Sequence, residues 1–173
     1  MTEDVDPLIL SLGFDSLSFE RLDDLRRAWF PPALNRIPAH LTLFHHLPGE
    51  RLVEVTRAVT EAADAVPVFD ARVTGLRKLG RGVALAVDSP ALAAVRAGLA
   101  ARFADVLTTQ DRQGFRPHVT IQNKVDPAEA SALHDRLASG FQPWSARAEA
   151  LLLWRYRGGP WEAAGRFAFR SEA

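Results

Sequence analysis

Two short stretches decide the reading, His40-Leu41-Thr42-Leu43 and Arg116-Pro117-His118-Val119-Thr120-Ile121. In an extended chain the side chains alternate between faces. His40 and Thr42 therefore share one face while Leu41 and Leu43 take the other, and His118 and Thr120 stand in the same way against Val119 and Ile121. Each stretch offers a polar face carrying an imidazole and a hydroxyl, roughly 6–7 Å apart, and a dry face for a core. The copies lie 78 residues apart (118 − 40), and the apolar runs that open each half, at Leu8 and Val83, lie 75 apart (83 − 8). Elements and motif repeat together. The period is too long, and the copies too few, for a solenoid, which points to a duplicated half-domain.

Outward from the motifs, both halves read strand, helix, strand, helix, strand. In the first half, Leu8 to Gly13 is a strand, and Leu22, Leu25 and Trp29 recur at helical spacing until Pro31-Pro32. His40 to His46 is the motif strand, Glu50 to Ala65 a helix and Val68 to Leu76 a strand. In the second, Val83 to Val87 is a strand, and Ser89-Pro90 caps a helix running through Leu92, Val95, Leu99, Phe103 and Val106. Phe115 to Lys124 is the motif strand. Asp126 and Glu129 form a capping box for a helix through Leu137, and Arg147 to Tyr156 is a strand that turns at Gly158-Gly159 into Trp161 to Arg170. The expected organisation is a single bilobal domain over residues 1–173, with repeats at about 1–78 and 79–173, folded around a cleft.

Composition bounds the function. The 173 residues are 47% hydrophobic and 24% charged, ordinary globular usage. With 21 basic and 21 acidic residues the formal net charge is zero, unlike the cationic surface that binds long duplex nucleic acid. The absence of cysteine excludes disulfides, thiolate metal sites and a cysteine nucleophile. The acidic start and the lack of a long apolar run give no secretory signal or membrane span, so a cytoplasmic monomer is expected. Gly80-Arg81-Gly82 and Gly158-Gly159 lack the helix and companion residues of a phosphate-cradling loop and read as hairpin turns. No cofactor is expected.

Two opposed imidazoles suit a reaction in which one group removes a proton and another supplies one, because imidazole titrates near neutrality. Threonine hydroxyls can donate to the non-bridging oxygens of a phosphate. Phosphodiester chemistry without a metal is the class implied. A metal site built from His40, His45 and His46 is the competing enzymatic reading, but His45 shares parity with the dry Leu41 and Leu43, and His46 lies about 20 Å along the strand from His40. Arg116, Gln122 and Lys124 extend the polar face of the second motif as substrate contacts, and Trp154 and Tyr156 share a strand face from which aromatic rings can stack on a base.

The paired motifs resemble those of the two-histidine (2H) phosphoesterase superfamily, specifically its bacterial RNA 2′,5′-ligase-like and 2′,3′-cyclic phosphodiesterase branch, over nearly the whole chain. The resemblance implies a LigT-like bilobal α+β fold with antiparallel sheets in pseudo-two-fold arrangement. It also implies metal-independent action on 2′,3′-cyclic phosphates or 2′,5′ linkages in RNA ends or small nucleotides. By the same resemblance His40 and His118 are the catalytic pair and Thr42 and Thr120 hold the phosphate. One histidine would activate water, or an RNA 5′-hydroxyl in the ligase direction, while the other handles the proton of the ribose 2′-oxygen. A non-catalytic RNA-end or nucleotide-binding module on the same fold is the alternative from another class.

Overall fold

The computed structural model describes residues 5–172. The first half gives β1 (Leu8–Phe14), α1 (Ser16–Trp29), β2 (Thr42–Leu47), α2 (Leu52–Asp64) and β3 (Phe69–Lys78). The second gives β4 (Val83–Asp88), α3 (Pro90–Arg102), the single turn α4 (Thr109–Arg112), β5 (His118–Gln122), α5 (Pro127–Ala138), β6 (Trp144–Arg155) and β7 (Glu162–Ala168). The repeated order of elements is present in this mixed α+β fold, whose named strands all pair antiparallel.

Local chemistry accounts for most boundaries. The Asp15 carboxylate accepts from Ser18 N–H to open α1, and Ser89 Oγ accepts from Leu92 N–H to open α3, with Pro90 in its first turn. Asp126 precedes α5 but its side chain makes no capping bond, so the capping box read from the sequence is not formed. The third long helix stops at Arg102 rather than continuing to Val106. The second motif strand ends at Gln122 because Lys124 adopts a left-handed backbone (φ 63°) that no strand accommodates. His40 precedes β2, whereas His118 is the first residue of β5.

The seven strands form one sheet in the order β2-β1-β6-β3-β4-β5, with β7 also on β6. The third strand of each half joins the other half. β3 pairs with β4, and β6 pairs with β1 over Leu8–Phe14. The N-terminal part of β6 also pairs with β3 (Phe69↔Ala148 to Val73↔Trp144), and its C-terminal part with β7 (Ala150↔Ala168 to Arg155↔Glu162). One long strand thus carries both curved sets of strands. The dry faces of the motif strands, Leu41, Leu43, Val119 and Ile121, are fully buried with Leu22, Val59, Leu92 and Leu99 from the helices. Among the described residues no helix is long and apolar enough to cross a membrane.

The β3–β4 hairpin closes on the end of β5. A Cβ at Gly82 would stand 1.9 Å from the Gln122 carbonyl oxygen and 2.7 Å from Asn123 Cα, both of them backbone. Gly82→Ala is expected to destabilise the fold by about 1–3 kcal/mol, the usual cost of overpacking, read as a lower urea midpoint. An unchanged midpoint would show that the hairpin does not seat against β5.

Candidate active site

Each motif histidine is held by the backbone that delivers it. His40 Nδ1 lies 2.9 Å from the Pro38 carbonyl oxygen and His118 Nδ1 lies 2.8 Å from that of Arg116, in both cases two residues back. A carbonyl only accepts, so each Nδ1 carries the proton and each Nε2 is left with its lone pair. Both rings are half-buried. Burial, with the fields of Arg26, His118 and His45, lowers His40 to about 4 against the opposing effect of the Pro38 hydrogen bond. Burial, with the charges of Arg77 and Arg116 and the field of His45, likewise lowers His118. Thr42 and Thr120 stand two residues beyond their histidines, also half-buried.

Two hollows flank the pair. One, of about 330 Å³, is lined by His40, Ser11, Phe19, Trp154 and Trp161 among others. The Trp161 ring centroid lies 4.6 Å from that of His40 and 6.0 Å from that of Trp154, whose Nε1–H donates to Ser11 Oγ at 2.9 Å. The other, of about 410 Å³, holds Thr42, His118, His45, Arg77, Phe115 and Arg116. Arg77 Nη1 lies 3.4 Å from the Arg116 carbonyl and 3.5 Å from His118 Nδ1. That nitrogen is protonated, so the guanidinium is its neighbour rather than its partner.

The remaining residues singled out by sequence divide. Trp154 and Arg116 line these hollows, one each. Gln122 and Lys124 instead line a separate depression beside Trp29, Phe30 and Pro31, because α1 packs over the end of β5 and Gln122 is 2% exposed beneath it. Tyr156 lies exposed beyond β6, its backbone N–H bonded to the Pro7 carbonyl, and lines neither hollow.

The parity argument fails for His45. Pairing of β1 with β2 shifts register between Leu10↔Phe44 and Ser11↔Thr42 and again before Leu8↔Leu47, so Leu43 and Phe44 are both buried and His45 turns outward. Its Nδ1 lies 3.0 Å from Asp111 Oδ1, and the same carboxylate accepts the backbone N–H groups of His45 and His46. These bonds keep Asp111 below the usual carboxylate range despite its burial. Among the described residues no group of three His, Cys, Asp or Glu side chains is placed to hold a metal ion.

Two buried arginines went unread. Arg26 on α1, 5% exposed, donates to the Thr120 carbonyl at 3.0 Å and to Asn35 Oδ1 at 2.9 Å, with its guanidinium over the Phe30 ring. Arg96 on α3, 8% exposed, donates to the Leu43 carbonyl at 2.8 Å and the Asp111 carbonyl at 2.7 Å, over the Phe44 ring. Each brace ties the first helix of one half to the motif strand of the other. The signal was available: Arg26 follows the buried Leu22 by four residues, as Arg96 follows Leu92, which puts a cation on each apolar stripe.

These features define an α+β fold in which two equivalent segments place His40 at one hollow and Thr42 with His118 at the other. A family model described as the 2′-5′ RNA ligase superfamily matches residues 14–160, and the chain belongs to that superfamily of two-histidine phosphoesterases and ligases. Among solved structures it is similar to TT0787 of Thermus thermophilus, with 19% identity and a TM-score of 0.68 over 96% of this chain and 100% of that one. It is also similar to E. coli LigT complexed with 3′-AMP (18% identity, TM-score 0.65, 95% of this chain and 98% of that one). A third match is LigT complexed with ATP (20% identity, TM-score 0.60, 95% and 99%). No curated protein sequence matches the chain.

Two outcomes follow from the bracing and the burial. Arg96→Met, which leaves two buried carbonyls without a donor, is expected to cost about 1–3 kcal/mol per unsatisfied group, measured by urea unfolding; a neutral result would show that the brace carries no stability. His40 is protonated in the unfolded chain below about 6.5 but in the folded protein only below about 4. Its contribution is therefore whole above pH 6.5, and stability falls as pH drops from 6.5 to 4. His40→Gln should flatten that part of the urea-midpoint profile, and an unaltered slope would place the ring in solvent.

Proposed function

We propose that this chain is a metal-independent 2′,3′-cyclic phosphodiesterase acting on RNA ends or small nucleotides, with RNA 2′,5′-ligase activity when a 5′-hydroxyl replaces water. The single observation that supports the reading is the pair of imidazoles with matched Nδ1–carbonyl bonds, which leave each Nε2 for proton transfer. In this reading His40 and His118 are the acid–base pair and Thr42 and Thr120 donate hydroxyls to the phosphate oxygens, which stabilises the charge that grows there. One chain supplies all four side chains. The LigT structures with 3′-AMP and ATP support a nucleotide as the ligand. Trp154 and Trp161 offer an aromatic wall beside His40 on which a base can stack.

Atom balance sets the proton path. The basic imidazole takes a proton from water as its oxygen bonds to phosphorus, and the second imidazole, protonated, gives one to the ribose oxygen whose bond to phosphorus breaks. If that oxygen is the 2′, the product carries a 3′-phosphate. In the ligase direction a 5′-hydroxyl attacks and the 2′-oxygen must stay bonded, so there the proton goes to the 3′-oxygen; the expectation that the 2′-oxygen is always the one served is corrected on this point.

A panel of nucleoside 2′,3′-cyclic phosphates assayed in excess chelator tests the proposal. Turnover should persist in chelator, follow a bell-shaped pH profile, and fall by about 10²–10⁴-fold in His118→Ala with the far-UV circular dichroism unchanged. Undiminished turnover in that variant would remove His118 from the mechanism. Inertness of the native protein towards the whole panel would favour the binding module, and loss of activity to chelation would favour a metal.

A further inference from the structure

The two hollows differ in chemistry because the two halves differ at one equivalent rung. Arg77 pairs with Ala84 on β4, and Trp154 pairs with Ile9 on β1. Ala84 and Ile9 are each the second residue of the strand that opens their half, so a guanidinium beside His118 occupies the place that an indole occupies near His40. The His118 hollow gathers Arg77, Arg116 and His45. Its one acid, Asp111, is 2% exposed and turns its carboxylate onto the backbone N–H groups of His45 and His46 and onto His45 Nδ1. Among the described residues Asp111 forms no ion pair with Arg77 or Arg116, and its bond to Nδ1 orients the His45 ring.

A cyclic phosphodiester carries one negative charge, and the reading above already gives that group two threonines and two histidines. The Arg77 and Arg116 guanidiniums exceed its needs. We infer that the hollow bounded by His45, Arg77 and Arg116 is a subsite for a second phosphate, carried on the 5′-oxygen of the nucleoside whose 2′,3′-cyclic phosphate reacts. This rests on the function proposed above. The base lies on the Trp154 and Trp161 side, the reacting phosphate at the histidines, and the 5′-phosphate against the cations, so the polarity of the cleft sets the orientation of the ligand. Such a phosphate is supplied either by a free nucleotide with a 5′-monophosphate or by the preceding linkage of an RNA chain.

Equilibrium binding separates this inference from the catalytic reading. Isothermal titration of the protein with adenosine 3′-monophosphate and adenosine 3′,5′-bisphosphate should show the bisphosphate binding roughly tenfold or more tightly, the scale of one charge-assisted hydrogen bond. Arg77→Gln deletes one guanidinium of the hollow and should erase much of that preference. Arg77→Lys, which keeps the charge, should restore part of it, and Arg116→Gln should reduce it independently. Equal affinity for the two ligands, or a preference untouched in both Arg77→Gln and Arg116→Gln, overturns the subsite whether or not the protein turns over any substrate.

Kinetic arms then identify the source. Adenosine 2′,3′-cyclic phosphate, its 5′-monophosphate and a dinucleotide with the same cyclic end are compared by KM. A lower KM for both phosphorylated forms supports a site that reads the phosphate alone, and for the dinucleotide only, a site that reads an RNA linkage. A KM that is the same for all three overturns the inference while leaving the phosphodiesterase reading intact, and inertness towards all three would sink that reading while the binding result still stands.

Discussion

The structure depends on β6 being shared. One edge pairs with β1 from Ala148 to Arg155, and the other with β3 from Trp144 to Ala148 and then with β7 from Ala150 to Arg155. A chain duplicated in sequence could have folded as two separate units, each with its own third strand. Here the third strands are exchanged, so neither half completes its sheet without the other. The exchange also makes the site composite: Arg77 comes from the first half yet stands beside His118, and Trp154 comes from the second yet stands in the hollow with His40. The helices repeat the pattern, since Arg26 reaches the carbonyl of Thr120 and Arg96 that of Leu43. Relative placement of the two histidines is thus fixed by ladders and braces that cross between the halves, rather than by a flexible joint.

What was legible in the sequence is what depends on neighbours along the chain. The alternation of Leu41 and Leu43 with His40 and Thr42, the Ser89-Pro90 helix start and the β3–β4 turn all rest on local stereochemistry, and all are present. Apart from the capping box at Asp126 and the early end of α3, the errors arise where partners distant in sequence intervene. Counting residues places His45 on the dry face, and the irregular pairing of β2 with β1 shifts that count. Gln122 shares a face with His118 in principle, but α1 lies over the end of β5 and covers it. Arg77 had no local signal at all; only its pairing opposite Ala84 brings it to the cleft. Asp111 had a faint one, because Thr108 accepts from its N–H to form the single turn α4, yet nothing along the chain reveals that its carboxylate reaches β2.

Duplication and divergence make separate contributions. Duplication supplies two similar groups with the same tautomer, and the matched Pro38 and Arg116 carbonyls preserve that equivalence. In the proposed function a perfectly symmetric cleft would bind a substrate equally well in two orientations, only one of which reacts. On that reading divergence at the Arg77 and Trp154 rung removes the ambiguity, because an indole and a guanidinium favour opposite ends of a nucleotide.

Burial of the histidines has a consequence for the proposed reaction. Desolvation lowers both, which favours the neutral rings in the free protein, whereas the proposed reaction needs one of them protonated. Pairing with an anion favours the imidazolium, so a phosphodiester entering between the rings supplies the charge that stabilises the missing proton. The symmetry is broken at the same moment, because a proton gained by one ring disfavours a second on its neighbour. In the proposed mechanism an unoccupied cleft therefore holds two bases, and an occupied one a base and an acid. On that reading the substrate's own charge completes the pair, and the working protonation state belongs to the complex and not to the free protein.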